Sequence, residues 1–308
     1  MVPTDRDDEV LTPGGPRPRS MVRSVRYGES VDVNRGVHVM AADLVLTPGG
    51  FRDRSLVHQI QTGRALVATQ EHFLQLDRAT NQVDLVLERL LLHGQVPTLG
   101  SGWIAYAYWS NGTGTTFRRF TSKWKVPPSP SSSADPLQTI FLFNGIQNTG
   151  TNFGILQPVL QWGTSAAGGG PSWSIASWYV TSGGQAFHTQ LVPVSEGDVL
   201  TGTMTLVSSD GIHFNYLSEF EGVAATKLPV QNIAELTWFN ETLEAYAIVD
   251  CSDYPNTTST PFSDIVLDSA AGPLPLAWTS VSQISDCGQH AVSSAPSEVD
   301  IIYRALSS

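Results

Sequence analysis

From residue 101 onward, apolar and polar residues alternate along short runs, and clusters of Gly, Pro, Asn and Ser separate the runs. This is the pattern of half-buried β-strands. The segments read as strands are Thr121–Val126, Thr139–Phe143, Gly154–Trp162, Trp173–Val180, Phe187–Val194, Val199–Val207, His213–Phe220, Glu244–Val249, Asp264–Leu267 and Val299–Tyr303. No stretch of helical period and adequate length competes with them. The spacing predicts an all-β fold, a two-sheet antiparallel β-sandwich. Alternation also sorts side chains by face. Ile155, Gln157, Val159 and Gln161 share one face of their strand, opposite Leu156, Pro158, Leu160 and Trp162. Likewise Thr242, Glu244, Tyr246 and Ile248 share a face, opposite Leu243, Ala245, Ala247 and Val249.

The chain before residue 97 repeats itself. The run Leu11–Val22 recurs as Leu46–Val57, each opening Leu-Thr-Pro-Gly-Gly, and Gly28 keeps register with Gly63. Two copies are too few to stack as a solenoid, which needs about three, so the repeat reads as a duplicated β-turn-β unit. The second copy leads into His72–Asp77, a turn at Ala79-Thr80-Asn81 and Val83–Leu87. All eight tryptophans lie at or beyond Trp103. The expected division is therefore a smaller β-rich N-terminal segment, residues 1–97, serving as a pro-region or docking arm, and a sandwich domain over residues 98–308.

Charge sharpens that division. Eleven of the 17 basic residues precede residue 97, all of them arginines, while 12 of the 28 acidic residues do. The sandwich thus carries nearly all of the net charge of −11. So acidic a domain is a poor ligand for nucleic acid, whose phosphates need cations; it suits solubility or work at low pH. No run of 18 apolar residues is present, so no membrane span is expected. The first thirty residues lack the apolar stretch of a signal peptide. Cys251 and Cys287, the two cysteines, are expected to form one disulfide rather than a metal site, which points to an extracellular or secreted protein.

The chain has no nucleophile elbow, His-Glu-x-x-His pair, phosphate-binding loop or dinucleotide fingerprint. No metal and no cofactor is expected. His188, His213 and His290 read as ordinary packed or solvated residues, and Asn111, Asn240 and Asn256 head glycosylation-type triplets. Polar residues within apolar strands carry the chemistry instead. A carboxylate in mid-strand beside a tyrosine, as at Glu244 and Tyr246, would be partly desolvated and its pKa raised.

Several short motifs occur in an order that resembles the eqolisins, the glutamic peptidases. They are Ser101-Gly-Trp-Ile-Ala, Phe120-Thr-Ser-Lys-Trp-Lys-Val-Pro127, Phe143-Asn-Gly-Ile146, Ile155-Leu-Gln157, Ser177-Trp-Tyr179, Glu196-Gly-Asp198 and the Phe262-Ser-Asp-Ile265 strand, which places Glu244. The resemblance implies a concanavalin-like sandwich with its cleft across one concave sheet. It implies a metal-free acid endopeptidase acting on a polypeptide substrate. Glu244 would be the general base and Gln157 the amide donor to the oxyanion. Phe143, Gln147, Gln161, Trp178 and Tyr246 would line the substrate cleft. Phe143 stands where the family has tryptophan, and Gln147 and Ser177-Trp-Tyr-Val180 lack the family's acids. The residues also admit a lectin-like module binding a glycan through Trp162, Trp178 and Tyr179, a glycosidase pairing Glu219 or Glu221 with Glu244, and an inactive structural sandwich.

Overall fold

The computed structural model describes residues 9–12, 15–18, 44–89, 102–132, 135–149 and 153–304. Pro13 and Gly14 of the first repeat, Gly28, and the expected boundary at residues 97–98 lie outside these. The described chain is built almost entirely of strands. Two short hairpins come first, β1 (Glu9–Thr12) with β2 (Gly15–Pro18) and β3 (Leu44–Thr47) with β4 (Gly50–Asp53). Then follow β5 (Val57–Gln59), β6 (Arg64–Ala68), β7 (His72–Asp77) and β8 (Val83–Glu88). The larger part holds β9 (Trp103–Ser110), β10 (Phe117–Lys125), β11 (Thr139–Gln147), β12 (Gly154–Ser165), β13 (Gly168–Thr181), β14 (Ala186–His188) and β15 (Val192–Pro193). It continues with β16 (Val199–Ser209), β17 (Phe214–Phe220), β18 (Leu228–Ile233), β19 (Trp238–Tyr246) and β20 (Ser259–Ser269). It ends with β21 (Gly272–Pro273), β22 (Thr279–Ser282), β23 (His290–Ala295) and β24 (Glu298–Ile302).

These strands form the expected all-β sandwich. One sheet runs β22-β9-β19-β11-β12-β13-β14-β5, and the other β23-β24-β20-β10-β16-β17-β18-β6-β7-β8. Pairing within the larger part is antiparallel. The N-terminal strands join by two parallel pairings, β5 on β14 and β6 on β18. The segment before residue 97 therefore supplies an edge to each sheet. Cys251 and Cys287 are bonded to one another.

Side chains follow the predicted alternation as far as Tyr246, where β19 ends; Ala247 turns to positive φ, and Ile248, expected on the face of Glu244, packs against the inner cluster instead. Leu142, Leu156, Leu160, Phe239 and Leu243 turn inward against Phe120, Met204, Tyr216 and Phe220 of the other sheet. Phe141, Phe143, Ile155, Val159, Trp178 and Trp238 form a second cluster on the opposite face of the same sheet. Apolar clusters on both faces mean that something covers the outer one. The inner layer also holds polar groups: Ser122 donates to Glu241, Ser218 to Ser177 (3.1 Å), and Asn144 Nδ2 to the Gly202 carbonyl (3.1 Å).

A β-bulge at Gly163 turns the end of β12. Its φ is +89°, and a Cβ there would sit 2.0 Å from the Gln138 carbonyl oxygen. The same turn lets the Gly163 carbonyl accept from Gln161 Nε2 at 2.8 Å. Gly163→Ala is expected to cost roughly 3 kcal/mol or more, from the left-handed strain plus the clash. Gly170→Ala, with nothing within 4 Å of the added Cβ, is expected within about 0.5 kcal/mol of wild type. Urea midpoints of the two variants check this.

Candidate active site

The outer face of the β9-β19-β11-β12-β13 sheet is ordered in rows by its register. Ser174, Gln161, Phe141, Glu244 and Trp103 form one row. Ala176, Val159, Phe143, Thr242 and Tyr106 form the next. Trp178, Gln157, Gly145, Asn240 and Tyr108 form the third, and Val180, Ile155, Gln147 and Trp238 the fourth. Glu244 on β19 and Val180 on β13 stand at opposite corners of the part spanned by β19, β11, β12 and β13, and Gln157 lies on the diagonal between them, so the register does not set Gln157 beside Glu244. Gly49 nonetheless reaches both corners: its amide is 2.7 Å from Glu244 Oε1, and its Cβ position lies 3.6 Å from Val180 Cγ1. A single residue bridges the corners, so sheet twist has folded the face into a trough along that diagonal.

The β3–β4 hairpin lies in this trough. Its turn is Pro48-Gly49, with φ of +89° at Gly49, the Pro-then-Gly arrangement of a tight turn. Leu46 is buried among the outer aromatic cluster. The Leu46 carbonyl accepts from the Ala166 amide at 2.7 Å. Phe51 meets the edge of Tyr246 at 5.8 Å between ring centroids. Thr47, fully buried, accepts from Arg52 Nε at 3.1 Å, and its hydroxyl lies 2.8 Å from the Gly50 carbonyl and 3.2 Å from that of Pro48. The hairpin is the cover that the outer apolar cluster requires. Burying Leu46 alone contributes about 2 kcal/mol to its hold.

Glu244 is fully buried beneath it. Its Oε1 accepts from the Gly49 amide and from the Tyr246 hydroxyl at 2.5 Å. Burial drives its pKa up to about 7, and the donors Tyr246 and Gly49, the charge of Arg52 and the Trp103 indole only partly offset it. Tyr246 is itself pushed well up, first by burial and then by the Glu244 charge. Burial lowers the pKa of Arg52. Gly102 makes this arrangement possible, since a Cβ there would overlap the Tyr246 ring at 2.3 Å.

The other expected site residues share the trough face but differ in what they do. Gln157 is buried, and its Oε1 has no hydrogen-bond partner. Gln147 Oε1 is likewise buried and unpaired at the far end. Gln161 is occupied within its own hairpin, donating to the Gly163 and Gly168 carbonyls at 2.8 and 2.9 Å and accepting from Ser165 at 2.8 Å. Phe143 and Trp178 floor the trough, and the His188 ring lies tilted against Trp178 with 4.7 Å between centroids. Trp162 and Tyr179 pack on the inner face, so no sugar-stacking platform forms from them with Trp178. Glu219 and Glu221 belong to the other sheet's strand and turn and lie by Lys227 and Arg119, so neither flanks Glu244. Asn240 is buried over Gly145 and donates to its carbonyl at 3.2 Å, which excludes it as a glycosylation acceptor in the folded chain. Sequence reasoning picked out the repeat but not its place on Glu244, nor the roles of Gly49 and Arg52. Among the described residues no group of three or more His, Cys, Asp or Glu is placed to hold a metal ion, and no helix is long and apolar enough to cross a membrane.

No family model matches the chain, and no curated protein does. Among solved structures it is similar to scytalido-glutamic peptidase with a transition state analog inhibitor, at 17% identity and a TM-score of 0.44, over 66% of this chain and 98% of that one. It is also similar to SCP-B, a member of the eqolisin family of peptidases in a complex with the tripeptide Ala-Ile-His, at 15% identity and a TM-score of 0.40, over 65% of this chain and 98% of that one. Both likenesses are remote.

Proposed function

We propose that this chain is a peptidase-like hydrolase of acidic pH whose trough is held closed by its own N-terminal hairpin. The observation that carries the reading is a peptide amide, that of Gly49, resting on a buried carboxyl of raised pKa. The nitrogen of a scissile bond would lie where that amide lies. Glu244 would take the proton of an attacking water and pass it to this nitrogen as the C–N bond breaks. Gln157, on the trough diagonal with an amide not tied to Glu244, would donate to the oxyanion. The Pro48 carbonyl is turned to Thr47 Oγ1 instead, which accounts for a hairpin that covers the site without being its substrate. Departure of the hairpin hydrates Glu244 and removes the largest cause of its raised pKa, so the ionised base becomes available at lower pH. An extracellular site of action fits the disulfide.

Leu46→Asp removes the apolar anchor of the docked hairpin, and Leu11→Asp makes the same change at the matching position of its repeat. The doubly substituted chain is expected to cleave a denatured protein between pH 3 and 6 at least tenfold faster than wild type. Adding Glu244→Gln is expected to abolish that gain. A chain that binds peptides in the opened trough yet cuts nothing across pH 2–8 would instead be a peptide-binding sandwich, and the hydrolase reading would fall.

A further inference from the structure

The docked hairpin is present twice. Residues 10–22 and 45–57 are identical at ten of thirteen positions, and the backbone repeats too. Thr12 pairs with Gly15, Leu11 with Pro16 and Val10 with Arg17. Thr47 pairs with Gly50, Leu46 with Phe51 and Val45 with Arg52 in the same way. Most groups that seat the second copy have a counterpart in the first: the Gly14 amide for Gly49, the Leu11 carbonyl and side chain for Leu46, Thr12 for Thr47 and Arg17 for Arg52, while the Phe51 ring that meets Tyr246 has none.

The differences are compatible with the same seat. Phe51 and Asp53 are replaced by Pro16 and Pro18. Counting outward from the turn of an antiparallel hairpin, the closing pair exchanges hydrogen bonds, the next does not, and the pattern alternates. Positions 16 and 18 belong to non-bonded pairs, so proline removes only amides that point away from the hairpin. Prolines on that edge also block pairing with a further strand. β1 and β2 form a two-stranded sheet of their own, as β3 and β4 do.

We propose that the β1–β2 hairpin is a second ligand of the Glu244 trough, which takes the seat of β3–β4 when that hairpin leaves, with the Gly14 amide on Glu244. The inference uses the same trough as the function proposed above but not its chemistry, since a ligand requires the seat and not hydrolysis. A consequence is that Leu46→Asp alone opens the trough only in part.

The test is binding of fluorescein-labelled peptides, followed by anisotropy at pH 5, to the full chain carrying Leu11→Asp and Leu46→Asp. A peptide of residues 43–55 shows that the trough is folded and vacant. The peptide of residues 8–20 is expected to bind there and to compete with it. Gly14→Pro in the peptide, or Glu244→Leu in the chain, is expected to weaken binding at least tenfold. If the 43–55 peptide binds and the 8–20 peptide does not, the inference is overturned. It is equally overturned if neither binds to a chain whose cooperative melt is intact. Binding of both peptides without cleavage of any protein would remove the hydrolase and leave this inference standing. A second measurement needs no added peptide. In the Leu46→Asp chain, Leu11→Cys and Ala166→Cys are expected to form a disulfide detectable by peptide mass spectrometry. A gel separates a bond within one chain from one between two copies, and absence of the bond counts against the proposal.

Discussion

Folding stability is expected to fall by several kcal/mol between pH 5 and pH 8, because burial raises the pKa of two carboxyls in the folded chain. Glu244 rises from an ordinary 4.5 to about 7, which at about 1.4 kcal/mol per tenfold change in acidity is worth about 3 kcal/mol once pH exceeds the folded value. Glu241 moves in the same direction, well above its usual range, because burial outweighs its bond from Ser122. It lies between the sheets, and its Oε2 has no partner. For an acid whose folded pKa is raised, the stabilising contribution is complete below the unfolded value and is lost as pH rises through the folded one. The window is therefore from about pH 4.5 upward, through about 7 for Glu244.

Other groups bound the effect on the acid side. His58 and His188 are lowered by burial, so protonating them below their ordinary range favours unfolding. Asp53, Asp210 and Asp250 are held low by hydrogen bonds accepted from nearby side chains and backbone amides, and what they contribute is lost as pH falls through their folded values. Thermal melts from pH 4 to 8.5 should thus peak in mild acid. Glu241→Gln keeps the shape without an ionisable group and should flatten the alkaline limb. Leu46→Asp, which lets water reach Glu244, should remove a separate share. A profile flat from pH 5 to 8 would mean that both carboxyls are ionised in the folded chain.

How far the sequence discloses this depends on the range over which a feature acts. The faces of single strands were legible, because alternation is local: Gln157 and Val159 turn outward and Leu156 and Leu160 inward, as the pattern requires. Relations between strands were not. Nothing in the spacing of 155–162 and 242–249 discloses that Glu244 shares its row with Gln161 rather than Gln157, or that twist folds the diagonal into a trough. The duplicated Leu-Thr-Pro-Gly-Gly unit was visible at once. Its target was not, since the bond from Gly49 to Glu244 joins residues 195 positions apart. The same holds for the edges: β5 and β6 complete both sheets through parallel pairs that no hairpin signal announces. Gly102 looked like part of a short motif, and only the position of the Tyr246 ring explains why no side chain fits there.

In the opened chain, Gln157→Ala is expected to lower kcat by about 10²–10³ with KM little changed, the size of effect that follows loss of one oxyanion donor. Gln157 is buried at the centre of the trough, its carbonyl oxygen has no partner, and no bond ties it to Glu244. A half-turn of the side-chain amide would place Nε2 where the unpaired Oε1 lies, facing a group that arrives with the substrate. A donor that acts only as charge develops on the carbonyl oxygen changes the transition state and not the ground state. Gln157→Glu should reproduce the loss above the pKa of the new carboxyl, where it can no longer donate, and recover part of the rate below it. That pH-dependent recovery separates a donor from a packing residue, because a packing defect would respond to size and not to protonation. Binding of the 43–55 peptide supplies the second readout and should be unchanged in both variants. If Gln157→Ala raises KM while kcat holds, Gln157 binds substrate uniformly, and the donor to the oxyanion must be sought elsewhere in the trough.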